Sequence, residues 1–246
     1  MKKSLLFMCL CSLLLSACTF DHLTINGGKM IEPSDNIVKR EYPQKSFDQI
    51  EVNVIANVKY IQTSDDNCRV VLSAPDNYID LFRFEVDSHE LEVKFVRDNI
   101  NISPAKVDVT IYSPTLTKIE NDGVASIEIT SLKGDKLEVE NSGVGTMYLS
   151  GLNIGTIEAD CSGVGNIELG GKANKACLDC SGVGSIRAEN LEATTVVGDV
   201  SGVGGIRCHP VETLHATVSG VGSLQYSGEP QNKRLNRTGV GSITPL

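Results

Sequence analysis

Seven times between residues 122 and 243 the chain returns to nearly one phrase, Asp-Gly-Val-Ala-Ser-Ile at 122, Ser-Gly-Val-Gly-Thr-Met at 142, then Ser-Gly-Val-Gly or Thr-Gly-Val-Gly at 162, 181, 201, 219 and 238. The first glycines of the phrase are Gly123, Gly143, Gly163, Gly182, Gly202, Gly220 and Gly239, at spacings of 20, 20, 19, 20, 18 and 19 residues. A period that short and that regular marks one structural unit stacked on copies of itself. Between the glycines apolar residues alternate with polar ones, and no apolar stripe has helical spacing. The unit is therefore a coil of strands.

Alternation makes inside and outside legible. Before the corner, Leu137, Val139 and Asn141 take the inward positions that Ile157, Ala159 and Cys161, then Ala176, Leu178 and Cys180, then Val196, Gly198 and Val200, then Leu214, Ala216 and Val218 take in later repeats. After it, Ile127, Met147, Ile167, Ile186, Ile206, Leu224 and Ile243 form another inward column. Parallel coils bury such columns, because each strand bonds to its equivalents about 4.8 Å above and below. At the corner, glycine is expected to supply positive φ, the valine between glycines a further buried column, and Ser142, Ser162, Ser181 and Ser201 hydrogen bonds to corner backbone. A phosphate-cradling glycine loop requires a following helix, and strands follow here.

The first eighteen residues carry Lys2 and Lys3, an apolar run from Leu5 to Leu15, and the box Leu15-Ser16-Ala17-Cys18. This reads as an export signal over residues 1–17 and resembles the bacterial lipoprotein signal, whose cysteine, here Cys18, is acylated and anchors the protein in a membrane. Residues 18–43 read as a polar tether. From 44 to 118 the alternation persists in looser form, with strands at Ile50 to Ile61, Cys68 to Ala74, Phe82 to Val86, Leu91 to Val96 and Val107 to Tyr112. These are expected to be irregular first coils of the same solenoid, with regular repeats over 119–246. An end-to-end homodimer is a further expectation, because a bare solenoid end is a sheet edge.

Twenty-two basic residues stand against thirty-one acidic ones, and removing Lys2 and Lys3 with the signal leaves twenty against thirty-one, a net charge near minus eleven. That balance argues against nucleic acid and against an anionic membrane surface as partners. The acid is ordered. Two residues before each corner serine or its equivalent stand Glu120, Glu140, Asp160, Asp179 and Asp199, followed by Thr217 and Asn236. Five carboxylates in a row repel, so screening, raised pKa values or a bridging hard cation such as calcium must relieve them. Lys172, Lys175, Arg187 and Arg207 are candidates to neutralise part of the row.

Glu138, Glu140, Glu158 and Asp160 allow an acid and base pair for a polysaccharide lyase or hydrolase. The loops are too short to wall a cleft, and Tyr148 and Tyr226 are the only aromatics in the repeats. Cys177 and Cys180 fall on opposite faces of a strand. Cys161 and Cys180 stack inward, with Cys208 also inward, as a thiol ladder or a Cys161 to Cys180 disulfide. His22, His89, His209 and His215 are scattered without a ligand pattern and read as surface residues.

The Leu-Ser-Ala-Cys box, the opening Phe47-Asp48-Gln49-Ile50-Glu51-Val52, Ser73-Ala74-Pro75, Leu91-Glu92-Val93, Ser113-Pro114-Thr115-Leu116 and the Ser-Gly-Val-Gly ladder resemble the head GIN domain family over residues 40–244. Its members are described as heads of auto-transporter adhesins, commonly exported lipoproteins of Bacteroides-like bacteria. The resemblance implies a right-handed parallel β-helix and an adhesive role at the cell envelope, and the flat, repetitive walls of such coils suit contact with glycan or another protein surface. It supplies no catalytic motif. Valine between the corner glycines departs from the alanine or serine that the family uses as often.

Overall fold

The computed structural model describes residues 30–103 and 106–246. The export signal, Cys18 and His22 lie outside the described residues. Seventeen strands form one sheet system: β1 Ile37–Pro43, β2 Gln49–Asn53, β3 Ile55–Gln62, β4 Arg69–Pro75, β5 Phe82–Asp87, β6 Glu90–Phe95, β7 Asp108–Ser113, β8 Lys118–Asn121 and β9 Val124–Ile129 in the lower half, then β10 Leu132–Asn141, β11 Thr146–Cys161, β12 Asn166–Cys180, β13 Ser185–Val200, β14 Gly205–Val218, β15 Ser223–Tyr226, β16 Asn232–Arg237 and β17 Ser242–Pro245. Among the described residues there is no α-helix, and a 3-10 turn runs over Ile79–Leu81. The parallel coils stack into a β-solenoid of about six turns.

Each regular coil has three faces. The first carries residues 136–141, in register with 156–161, 175–180, 195–200 and 213–218 above. The second carries 146–149 and its equivalents, and the third, shorter face carries 152–154 with 171–173 and 191–193. The inward columns are occupied as the alternation requires: Leu137, Ile157, Val196 and Leu214, and Ile127, Met147, Ile167, Ile186, Ile206 and Leu224, are all buried. Gly198, which has no side chain, is filled from above by Leu224, whose Cδ1 lies where a Cβ would stand.

The lower coils are irregular, and they stack out of chain order. Strand β2 lies between β6 below and β8 above on the first face, while β3 lies between β7 and β9 on the second. The chain thus lays down one coil, drops beneath it through β4, β5, β6 and β7, and climbs over it at β8. Antiparallel strands close the bottom, β5 against β6 and β1 and β7 against β4. Large residues pack this end: Phe47, Tyr60, Tyr78 and Ile79 are buried, with the Tyr60 hydroxyl donating to the Ser113 carbonyl oxygen at 3.0 Å. Burial pushes that phenol up to about 12.

Two boundaries differ from the sequence reading. The stretch Ile50 to Ile61 is two strands, bent at buried Val54, because a coil must turn from first face to second there. The tether also ends earlier than Pro43. Ile31 is bridged to Ile102, Ser34 N–H donates to Asn77 Oδ1 at 3.0 Å, and β1 covers the outer edge of β4. That strand supplies the backbone bonds that the lowest edge would otherwise lack.

The corner works differently from the expected positive-φ turn. None of the seven first corner glycines has positive φ; among the corner glycines Gly145 does, at 132°. What the first glycine supplies is close approach. A Cβ on Gly143, Gly163, Gly182, Gly202, Gly220 or Gly239 would lie closer than 3.0 Å to the carbonyl oxygen of the first glycine one coil below. The same carbonyls accept from the corner valines, Val144 N–H to Gly123 at 2.9 Å, Val164 to Gly143 at 3.2 Å and Val183 to Gly163 at 3.1 Å. Main-chain bonds of this kind satisfy the corner. The serine ladder contributes little, with Ser142 Oγ reaching the Asn121 carbonyl at 3.4 Å.

Candidate functional site

The valine column is the clearest departure from expectation, because it faces solvent. From Val164 through Val183, Val203, Val221 and Val240 each valine is at least 63% exposed, and Val124 and Val144 are exposed by nearly half. The space inside each corner is already taken. Cβ atoms on the second corner glycines Gly184, Gly204, Gly222 and Gly241 would come within 3.0 Å of Cys161 Sγ, Cys180 Sγ, Val200 Cγ1 and Val218 Cγ1, inward side chains of the coil below. With the interior filled by that column, the residue between the glycines turns outward.

The column that fills the corners changes chemistry as it rises. Asn121 Nδ2 donates to Asn141 Oδ1 at 2.9 Å, and Asn141 Nδ2 donates to the Asn166 carbonyl at 3.1 Å. One coil higher, the Cys161 thiol donates to the Gly165 carbonyl at 3.3 Å, and the Cys180 thiol to Gly184 at 3.4 Å. Val200 and Val218 complete it. Cys161 and Cys180 stack in register as free thiols, not as a disulfide. The neighbouring Cys180 thiol and burial hold the Cys161 thiol up, and burial pushes Cys208 up to about 12, so both stay protonated at neutral pH. Cys177 points outward on the first face, half-buried between Glu158 and Val197.

On that face Glu120, Glu140, Asp160, Asp179 and Asp199 do form one column, each in register with the next, and Thr217 and Asn236 continue it. It is also longer than the repeat reveals. Glu120 pairs downward with Glu51, Glu51 with Glu92, and Glu92 with Glu85. Eight carboxylates therefore cross the sheet in one row. The three added members lie in coils stacked out of chain order, where no period points to them.

Compensation along the row is uneven. Lys94 Nζ pairs with Glu92 and lies 3.1 Å from Glu85, and Lys118 Nζ lies 2.8 Å from Glu120 and 3.3 Å from Glu140. In the adjacent column Lys136 Nζ bridges Glu158 at 2.8 Å and Glu138 at 3.8 Å. Hydrogen bonding to Glu120, and then to Glu140, raises the Lys118 pKa. The expected neutralisers are engaged elsewhere: Lys172 pairs with Glu192, Arg187 with Glu168 and Arg207 with Glu189, while Lys175 stands between Thr156 and Thr195. The working cations sit two residues before a glutamate of their own strand, at Lys118 and Lys136, a spacing visible in the sequence.

Asp160, Asp179 and Asp199 have no basic group within 4.0 Å among the described residues. Burial, and then the charge of Glu140, raises the Asp160 pKa. Burial, and then Asp160 and Asp199, raises that of Asp179. These residues and Glu138, Glu140 and Glu158 border a shallow depression of about 310 Å³ floored by Cys177 and Val197. Among the described residues no three His, Cys, Asp or Glu side chains converge as a metal shell. A straight column offers a calcium ion one carboxylate per coil, where that ion takes six to eight oxygens. His89 and His215 are exposed and His209 is half-buried.

Comparison with known proteins agrees with this architecture. A crystal structure of a putative adhesin from Bacteroides fragilis NCTC 9343 matches with a TM-score of 0.84 and 34% identity, covering 88% of this chain and 100% of that one. A putative lipid binding protein from Parabacteroides distasonis ATCC 8503 matches with a TM-score of 0.73 and 20% identity over 89% of this chain and 100% of that one. A putative adhesin from Parabacteroides merdae ATCC 43184 matches with a TM-score of 0.65 and 21% identity over 88% and 99%. At these lower identities the likeness is one of fold. No curated protein matches the chain. The family model described as "Putative auto-transporter adhesin, head GIN domain" matches residues 46–230, and the chain belongs to that family.

Proposed function

We propose that the protein is a non-enzymatic lipoprotein of the cell envelope, anchored in the outer membrane through an acylated Cys18, whose solenoid is an adhesive head for glycan or protein. The observation that carries this reading is the unbroken register of the first face's outward columns, from Lys118 to Arg237, with corners too short to raise walls around a substrate. Flat faces repeating about every 4.8 Å suit a partner that is itself repetitive. The carboxylates that would serve a polysaccharide-cleaving enzyme support binding instead, since Lys136 pairs with both Glu138 and Glu158, and the depression that they border is open. The family's adhesin descriptions point the same way.

The test is binding of soluble residues 30–246 to arrays of glycans and matrix proteins. Saturable binding to one class supports the adhesin reading, and an empty array at high protein concentration removes it in favour of an architectural role. Incorporation of labelled palmitate into the full chain, lost in Cys18→Ala, tests the anchor, and protease treatment of intact cells shows which side of the membrane the head faces. An end-to-end homodimer is a second proposal. It is supported by β16, which pairs with β14 on one side and has all six residues exposed. A monomeric mass in sedimentation at high concentration sinks it.

A further inference from the structure

The corner valines have no structural duty that explains them. Their side chains point into solvent, and their N–H groups bond to main-chain carbonyls, of Val54 at Val124 and of glycines from Val144 upward, as any residue but proline could. An apolar ridge repeated at seven corners is the kind of surface that a partner covers. Its middle part has a second character. Four residues before Val164, Val183 and Val203 stand Asp160, Asp179 and Asp199, the part of the acid row with no basic group within 4.0 Å among the described residues. Aliphatic ridge and free carboxylates thus run side by side along the axis with one repeat.

We infer that this three-coil window is a docking surface for a basic amphipathic helix lying along the solenoid axis, its aliphatic stripe on the valine ridge and its lysines or arginines over the aspartates. The inference rests on the adhesin reading and names a partner class for it. The repeat selects the helix. Coils rise about 4.8 Å, and a helix presents the same face every 5.4 Å or so. Three coils therefore accumulate a mismatch of only about 1.2 Å. An extended strand presents one face every 6.7 Å or so and slips by nearly 4 Å over the same distance. A helix roughly 10 Å across also spans the four residues separating row from ridge. A second copy of the chain has a commensurate repeat but carries the same net charge of −9.

The probe is a synthetic lysine–leucine helix of about five turns, compared with its glutamate–leucine counterpart by fluorescence anisotropy against the whole soluble head at low and high salt. The expected result is saturable binding of the lysine peptide alone, weakened at least tenfold by Val164→Ser with Val183→Ser and Val203→Ser. Asp160→Asn with Asp179→Asn and Asp199→Asn should weaken it comparably, and neither variant should melt earlier than the parent. Absence of lysine-peptide binding overturns the inference. So does binding that neither variant alters, which would be general attraction to an acidic protein, and so does a valine variant that only dissolves self-association. The array measured in parallel separates the two readings, because retained glycan or matrix binding leaves the adhesin standing when the helix fails.

Discussion

The lower coils and the upper coils solve the same problem with different materials. Below β9, strands of mixed direction enclose Phe47, Tyr60, Tyr78 and Ile79, and one coil is slipped beneath another out of chain order. Above it, like residue sits on like residue, and corners close so tightly that a single Cβ would strike the coil below. A core of large, varied side chains can be repacked, whereas a ladder repeats each tolerance at every rung. The upper half is therefore the more sensitive to small additions, and the lower half to deletions.

Glycine substitutions break this comparison most sharply. Gly184→Ala places a Cβ within 3.0 Å of the Gly165 carbonyl carbon and Cys161 Sγ, so neighbouring coils must part. A loss of about 3 kcal/mol is expected, read as a shift in urea midpoint. Gly170→Ala is the control, since its Cβ would meet nothing closer than Asn190 Cβ at 3.6 Å. A change within about 0.5 kcal/mol is expected there. Equal effects at the two positions would show that close approach is not what the corner glycine supplies.

The second test lies where the halves meet. Asn121 and Asn141 hold amide positions in a column that is aliphatic at Val200 and Val218, and Asn121 Oδ1 is already buried without a partner. Asn141→Val should cost about 2 kcal/mol, because it strands the Asn121 amide. Adding Asn121→Val should restore about half, since the Asn121 amide is then no longer stranded, while the Asn166 carbonyl still lacks the Asn141 donor. A double variant worse than the single one would mean that the amides have a role beyond each other.

Much of this was legible from residue order, for a physical reason: where the coil period of about twenty coincides with the strand period of two, orientation follows by counting. The inward columns and the register of Glu120 to Asp199 were read that way. The valines were not, because a Gly-Val-Gly corner has no alternation, and its inside is settled by Cys161, Cys180 and Val200 reaching up from the coil below. Glu51, Glu85 and Glu92 escaped as well. Their coils return to the column by a path that the repeat does not encode.

Charge gives smaller effects. Lys118 is the shared cation of Glu120 and Glu140, and its side chain is 24% exposed. Lys118→Met should cost about 1 kcal/mol, with the loss shrinking in high salt. Insensitivity to salt would assign the effect to the packing of the lysine stem.

The smallest expected effect has the opposite sign. Asp179 stands between Asp160 and Asp199 and has no basic group within 4.0 Å among the described residues, so Asp179→Asn should stabilise the fold by a few tenths of a kcal/mol after screening. Its pH dependence identifies the cause. Burial, then like charge, raises the Asp160 and Asp179 pKa values in the folded state, so between the unfolded and folded values the native chain holds more protons than the unfolded one. For these groups stability is highest below the unfolded carboxylate pKa and is lost as pH rises through the folded one. Asp179→Asn should therefore gain on the parent at neutral pH and lose that gain on acidification, measured as urea midpoints across the carboxylate range. A gain that persists in acid would come from better packing of the amide, and the free part of the row would then impose no electrostatic cost for a cationic partner to relieve.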